Sequence, residues 1–300
     1  MNLVELLSTA TPLPDKAARY SEDTYVQETV DQLDAAGLDA AEFAVRHSLL
    51  LLKPDAIVGR AVEPTVDWLR DNGFRIVSAR SCPVDRHLVR ALWYFAWNIA
   101  SPERRRLADL LVGLSGALVL VVAGDPAPLP TPVRLTAAKG PTDPRKRQPG
   151  QLRYLLGRHS YLLNLVHSPD DPADVLREFS IYFDTGTREE ILREIGAGTE
   201  AGDDAIALAA ELYSHTPARD FGRGAAVTRL LADMGDAPAD FDPESDEDCA
   251  RLLRRAWATG RTVDPWSVIV LGSLVLPMRN GAHRQTLPPV SAHDWLEARP

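Results

Sequence analysis

The hydrophobic pattern changes period several times along the 300 residues, and each change marks an element. After an opening that carries Pro12 and Pro14, Val26, Val30, Leu33, Ala36 and Leu38 recur at helical spacing between Glu22 and Phe43. Residues 1–46 therefore read as an N-terminal helical extension. At Ser48 the helical period stops. Leu49-Leu50-Leu51-Leu52 is apolar on both faces, as in a strand buried at the centre of a sheet, and it ends at Lys53-Pro54-Asp55. A helix is expected from Val62 to Asp71, closed by Asn72-Gly73, and Phe74 to Ala79 alternates as a second strand. Helical stretches follow at Asp85 to Trp97 and Ser101 to Leu111. Ala117 to Val122 is a third buried strand, Pro132 to Ala138 a short helix, Tyr161 to Val166 a fourth strand and Pro172 to Phe183 a helix.

This order, a βαβ unit, a helical pair and a second βαβ unit, predicts an α+β fold: a ferredoxin-like βαββαβ sheet with helices on one face. The segment from Lys139 to Gly157 is a long basic loop, of a length that compact domains keep for function. Beyond Phe183 the pattern is almost wholly helical. Thr187-Arg188-Glu189-Glu190 has the form of a capping box opening a helix that Gly196 ends. Helices are expected near Asp204 to Tyr213 and Ala225 to Met234, and another between Ser245 and the stop at Gly260. The chain thus divides into the extension, a sheet domain over 47–183 and an additional all-helical subdomain over 184–288.

Composition narrows the function. Hydrophobic residues make up 45% of the chain, enough for a real core, and the formal net charge is −9. An acidic chain is a poor match for nucleic acid or an anionic membrane surface, so neither is an expected partner. The apolar runs Leu110 to Ala123 and Trp266 to Met278 fall short of a membrane span, and Glu5 interrupts the first apolar run, so no signal peptide is read. Two cysteines, Cys82 and Cys249, fit a reducing, cytoplasmic setting. No glycine-rich loop ends in Gly-Lys-Ser/Thr, cysteine and histidine spacing suggests no zinc site, and Asp220-Phe221-Gly222 lacks the catalytic loop of a protein kinase. Asp240 to Asp248 lacks the glycine and closing glutamate of a calcium loop and reads as a solvated linker.

Candidate chemistry gathers at strand ends. His167 lies just past the fourth strand, where a side chain can meet a ligand. Glu178 lies eleven residues further on, and its helical neighbours Val175, Phe179 and Tyr182 put it on the inward face of its helix. A carboxylate there needs a partner, and a bond to one imidazole nitrogen would leave the other free to attack phosphorus. Lys53, at the mouth of a buried strand, calls for an anion. Arg134, Thr142 and Arg153 add two cations and a hydroxyl around the long loop, the equipment that phosphoryl transfer uses.

In these motifs the chain resembles the nucleoside diphosphate kinase family over Ser48 to Phe183. Lys53-Pro54-Asp55-Ala56 matches its first-strand motif. Thr142-Asp143-Pro144 with Pro149-Gly150 and Leu152-Arg153 matches its long loop, and Asn164-Leu165-Val166-His167-Ser168 with Asp170, Arg177-Glu178 and Tyr182-Phe183 matches its catalytic signature and following helix. The resemblance implies that His167 forms the phosphohistidine, that Glu178 orients it, and that Lys53 acts beside them. It also implies that Lys53, Arg134, Thr142, Arg153 and Asn164 bind phosphates and ribose. It implies Mg²⁺ on a nucleoside triphosphate, a ping-pong transfer to a second nucleotide, and a homo-oligomer. Ser291-Ala292-His293-Asp294-Trp295-Leu296-Glu297 resembles the family's tail, which makes 289–300 a return to the kinase-like domain.

Departures fall on the base side. Arg153-Tyr154-Leu155 replaces the family's Arg-Gly-Asp, and the Gly-Arg ahead of Asn164 is missing. Arg104-Arg105-Arg106 stands where a stacking phenylalanine is expected, with Arg105 aligned to it and Tyr94 or Trp97 in place of a nearby tyrosine. A guanidinium can stack on a base, and the run also suits an acidic acceptor. The expected function is transfer of a γ-phosphoryl group through a phosphohistidine to a nucleoside diphosphate or related metabolite. The alternatives are a nucleotide-binding or assembly module that has lost turnover, and a biosynthetic kinase with a non-nucleotide acceptor.

Overall fold

The computed structural model describes residues 2–235 and 240–298, so Met1, residues 236–239 of the expected helical subdomain and the last two residues of the expected tail lie outside it. Four short helices open the chain: α1 (Leu3–Ala10), α2 (Pro14–Tyr20), α3 (Thr24–Ala35) and α4 (Ala40–Arg46). The single helical stretch expected over Glu22 to Phe43 is broken between α3 and α4 at Gly37, whose φ of 71° only glycine adopts readily. Then come β1 (His47–Leu52), α5 (Pro54–Val58), α6 (Val62–Asp71), β2 (Phe74–Cys82), α7 (Arg86–Leu92), α8 (Pro102–Leu111), β3 (Ala117–Gly124), α9 (Thr131–Lys139), the one-turn α10 (Leu152–Leu155), β4 (Val166–His167) and α11 (Pro172–Tyr182). The remainder is helical: α12 (Thr185–Gly196), α13 (Gly202–His215), α14 (Arg223–Met234), α15 (Asp246–Thr259), α16 (Pro265–Val275) and α17 (Ala292–Glu297). No helix among the described residues is long and apolar enough to cross a membrane.

The sheet is antiparallel with order β2-β3-β1-β4, the ferredoxin-like arrangement that the strand order predicts. Strand β1 lies between β3 and β4, which explains its unbroken leucines. Leu50 and Leu52 face one side with Leu118, Leu120 and Val122, and Leu49 and Leu51 face the other with Val119 and Val121. The two crossover helices share the first side, where α6 supplies Trp68 and Leu69 and α9 supplies Leu135. The opposite side is also covered, by Leu33 of α3, Phe43 of α4, and Leu176 and Phe179 of α11. One-face packing thus holds for the crossover helices, and the extension and α11 add a second layer. An apolar strand with no polar face requires both layers.

The helical segment after α11 packs on the sheet and on α8. Ala201, just ahead of α13, and Ala205 and Ala209 within it lie on the side of the sheet that holds α6. Helices α14, α15 and α16 build a third cluster with Leu107 and Leu111 of α8. The approach is close: a Cβ on Gly272 of α16 would lie 2.9 Å from the Leu107 side chain.

Two elements depart from expectation. The fourth strand, expected over Tyr161 to Val166, is reduced to Val166–His167, paired with Leu52 and Leu51. Leu165 adopts φ 63°, its N–H is taken by Asp55 Oδ2 at 3.0 Å and its carbonyl by the Lys53 N–H at 2.9 Å, so the preceding chain turns out of the sheet. Helix α12 begins two residues before Thr187, capped by Asp184, whose side chain accepts the Thr187 N–H.

Candidate active site

His167 ends β4, opposite Leu51 of the central strand, and its imidazole reaches across to α11. Nε2 sits 2.9 Å and 3.1 Å from the two oxygens of Glu178. The carboxylate is buried, and burial pushes the Glu178 carboxyl up while His167 pulls it down. With Glu178 as the acceptor the imidazole proton sits on Nε2 and the Nδ1 lone pair is left free of that bond. The Trp93 ring meets the imidazole edge to face at 5.2 Å and holds its plane. The ring lines a cavity of about 790 Å³, large enough for a nucleotide-sized ligand.

Cations line the same cavity. Lys53 is buried at the end of β1, where Nζ donates to the Leu162 carbonyl at 3.0 Å and to Asp55 at 3.2 Å. Burial lowers its ammonium pKa, opposed by Asp55. Arg153 on α10 donates to Gly140 O at 2.9 Å, Thr142 Oγ1 at 3.2 Å and Val166 O at 2.6 Å, while its buried Nε has no hydrogen-bond partner. Thr142 and Asn164 complete that wall. Lys53, Trp97, Thr142, Arg153, Asn164 and His167 therefore meet in one cavity, with Glu178 behind the histidine.

Three expected residues do not join them. Arg134 lies on the opposite side of α9 from Thr136, two residues along a helix, and its guanidinium stacks 5.6 Å from the Phe74 ring. Arg105 is exposed because the inward stripe of α8 is Arg104, Ala108 and Leu111, so Arg104 lines the cavity instead. Tyr94 is 66% exposed, and Trp93 and Trp97 on either side of it face the ligand space. The basic loop is also arranged differently. Arg147 is buried and donates to the carbonyls of Thr142 and Gly157 at 2.8 Å and of Ser160 at 3.3 Å, so it holds the loop together, whereas Arg145 is exposed and pairs with Asp143.

Lys139, which the sequence pattern places at the start of the loop, is the last residue of α9. Gly140 turns the chain there with φ 88°, and a Cβ on it would strike Gln151. Lys139 is buried in the cavity wall, donates to Ser168 Oγ at 2.7 Å and Thr136 Oγ1 at 3.2 Å, and has no carboxylate within ion-pair distance among the described residues. Burial, then the nearby Arg153, lowers its ammonium to about 7. The signal was the three-residue spacing of Thr136 and Lys139, which places them on one helical face. Pro289, Val290, Ser291 and His293 also line the cavity.

Among the described residues no cluster of three or more histidine, cysteine, aspartate or glutamate side chains could hold a metal by itself. Asp170, in the cavity wall beside His167 and Lys139, offers one carboxylate. That donor set fits a magnesium ion carried on substrate phosphates, which needs one or two carboxylates from the protein.

The molecule is therefore an α+β protein of ferredoxin-like topology, with an imidazole–carboxylate pair facing a cationic cavity. Comparison with known proteins gives the family. The nucleoside diphosphate kinase family model matches residues 46–187. The nucleoside diphosphate kinase of Thermococcus kodakarensis is 30% identical over 145 residues, 48% of this chain and 79% of that protein. That of Roseiflexus castenholzii is 31% identical over 146 residues, 46% of this chain and 88% of that protein. A solved NDP kinase from Pyrobaculum aerophilum aligns with 19% identity and a TM-score of 0.40 over 47% of this chain and 97% of its own. The chain belongs to the nucleoside diphosphate kinase family.

Proposed function

We propose that this protein is a phosphotransferase that takes the γ-phosphoryl group of a nucleoside triphosphate on His167 Nδ1 and passes it to a nucleoside diphosphate or a related metabolite. The observation that carries this reading is the bond between His167 Nε2 and the buried Glu178, which holds the imidazole at a cavity lined by Lys53, Arg153 and Lys139. In the first half-reaction Nδ1 forms a bond to phosphorus as the bond to the β–γ bridging oxygen breaks, and the diphosphate leaves with the electron pair. In the second, an acceptor oxygen bonds to phosphorus and the P–N bond breaks back to the imidazole. Glu178 stabilises the imidazolium character that develops as Nδ1 attacks, and the cations offset charge on the phosphoryl oxygens. Magnesium bound to the phosphates, with Asp170 as a protein carboxylate, would neutralise charge and order the phosphate chain.

The test is incubation with γ-labelled ATP and Mg²⁺. An acid-labile, base-stable phosphoprotein is expected on the native chain and none on His167→Ala. Glu178→Gln should label at least 10-fold more slowly, because an amide can hold the ring but cannot balance the developing charge. Equal labelling of the native chain and His167→Ala would overturn the proposal.

A further inference from the structure

The wall of the same cavity carries two further arginines to which the phosphoryl transfer described above gives no role. There the Arg104 guanidinium is held between two aromatic rings, 5.0 Å from the Trp97 centroid and 5.1 Å from the Tyr161 centroid. Its Nε is buried without a hydrogen-bond partner, and no carboxylate pairs with the side chain among the described residues. Arg279 stands 6.0 Å from the same Tyr161 ring, and among the described residues it too has no carboxylate in ion-pair distance. Backbone bonds fix its position. Arg279 forms a β-bridge with Ala100, the Asn280 N–H donates to Ile99 O at 2.7 Å, and Ser101 Oγ donates to Pro277 O. The chain leaving α16 is thereby tied to the start of α8, and both arginines line the cavity that holds His167.

Two guanidinium groups facing one space without a counter-charge repel each other, and burying one of them costs free energy that a bound anion would offset. Each can grip a carboxylate or phosphate through two N–H groups. Arg104 occupies one face of Trp97 and one of Tyr161, which closes those faces to a stacking base. We propose that Arg104 and Arg279 form an anion-binding subsite, built jointly by the kinase-like part and the helical segment, that recognises a carboxylate or phosphate on the distal end of the phosphoryl acceptor. The preferred acceptor then carries an anionic group besides the phosphate that receives the phosphoryl at His167. The inference rests on the phosphotransfer reading for the word acceptor, but the subsite can be measured by binding alone.

The probes are three series of matched chain length: alkyl monophosphates, ω-carboxyalkyl phosphates and alkane bisphosphates. Binding to the full chain is measured by calorimetry. At the length that spans the cavity, one doubly anionic series is expected to bind at least 10-fold tighter than the alkyl phosphate, and whichever series wins identifies the distal group. The advantage should vanish in Arg279→Gln and in Arg104→Gln. Arg279 is exposed, so its variant keeps the fold, and circular dichroism checks this. The rate at which γ-labelled ATP loads His167 should change less than two-fold in Arg279→Gln. No advantage at any length overturns the subsite, and equal losses in probe binding and ATP loading reassign the arginines to the donor. Failure of ATP to label the native chain would remove the phosphotransfer reading and leave the binding result standing.

Discussion

At the scale of single residues, Lys139 makes the strongest demand on its surroundings. A buried ammonium held only by hydroxyls and a carbonyl, next to Arg153, is more stable neutral, and its pKa near 7 lies far below the ordinary lysine value. Between about pH 7 and pH 10.5 the unfolded chain holds this proton and the folded chain has released it. Stability contributed by this group therefore rises with pH across that window, and below it the folded state carries the full cost. Lys139→Met should be the more stable protein at pH 6, by up to ~5 kcal/mol at 1.36 kcal/mol per pKa unit, with the gap closing by pH 10.5. Urea unfolding of both proteins at several pH values measures it, and a gap independent of pH would contradict the assignment. A phosphate arriving beside Lys139 restores the reason to be charged, so the same group links anion binding to proton uptake. The contact between His167 and Glu178 was legible in the sequence because one follows a buried strand and the other takes the inward phase of its helix. The pattern missed Lys139, and took Arg105 for Arg104, because one residue along a helix is a rotation of about 100° and no short pattern fixes that phase at a helix end.

Among the elements, the N-terminal helices bear most directly on the site. Lys16 of α2 is buried and reaches Asp171, which caps α11, at 2.8 Å and Asp174 in its first turn at 2.7 Å, while Tyr20 donates to Asp174 at 2.7 Å. Burial raises Asp171 to about 6 against the pull of Lys16, and Lys16 holds Asp174 low in spite of burial. Since α11 also carries Glu178, this clasp ties the extension to the orientation of His167. Lys16→Met leaves two buried carboxylates facing each other and should cost ~3–5 kcal/mol at pH 7. Both carboxyl pKa values then lie above the unfolded value, the folded chain binds more protons, and stability falls as pH rises from about 4. The deficit against the native chain should thus be smallest near pH 4 and largest at pH 7, and denaturation at the two pH values tests this. The extension was legible as helical from its apolar spacing, but its role was not, because the partners of Lys16 lie more than 150 residues away. The same limit explains β4: the run from Tyr161 reads as a strand until the Asp55 carboxylate, distant in sequence, takes the Leu165 N–H.

For the whole molecule, the question is whether the parts on either side of the family match are attached modules or one folding unit. The matched region cannot bury its own surfaces alone. One side of its sheet needs Leu33, Phe43 and the rest of the N-terminal helices, and the other needs Ala205 and Ala209 of α13 with Ala201 just ahead of it. Helix α8 has its inward leucines, Leu107 and Leu111, in a cluster with Leu230 of α14, Leu253 of α15 and Ile269 of α16. Exposing several such side chains together would cost ~1.5–3 kcal/mol each, so neither part gains stability by opening without the other. The strand order was readable from the sequence because each strand's pattern is local, whereas this mutual burial was not, since apolar residues on an amphipathic helix do not say which surface they cover. Two native thiols report on the two parts. Cys82 at the end of β2 and Cys249 in α15 are both free and buried, in different clusters. During urea titration, with a thiol reagent pulsed at each step and the sites resolved by mass spectrometry, both should become reactive at the same midpoint. If Cys249 reacts at distinctly lower urea than Cys82, the helical segment opens on its own, and the contact of α16 with α8 contributes less than the close approach of Gly272 to Leu107 implies.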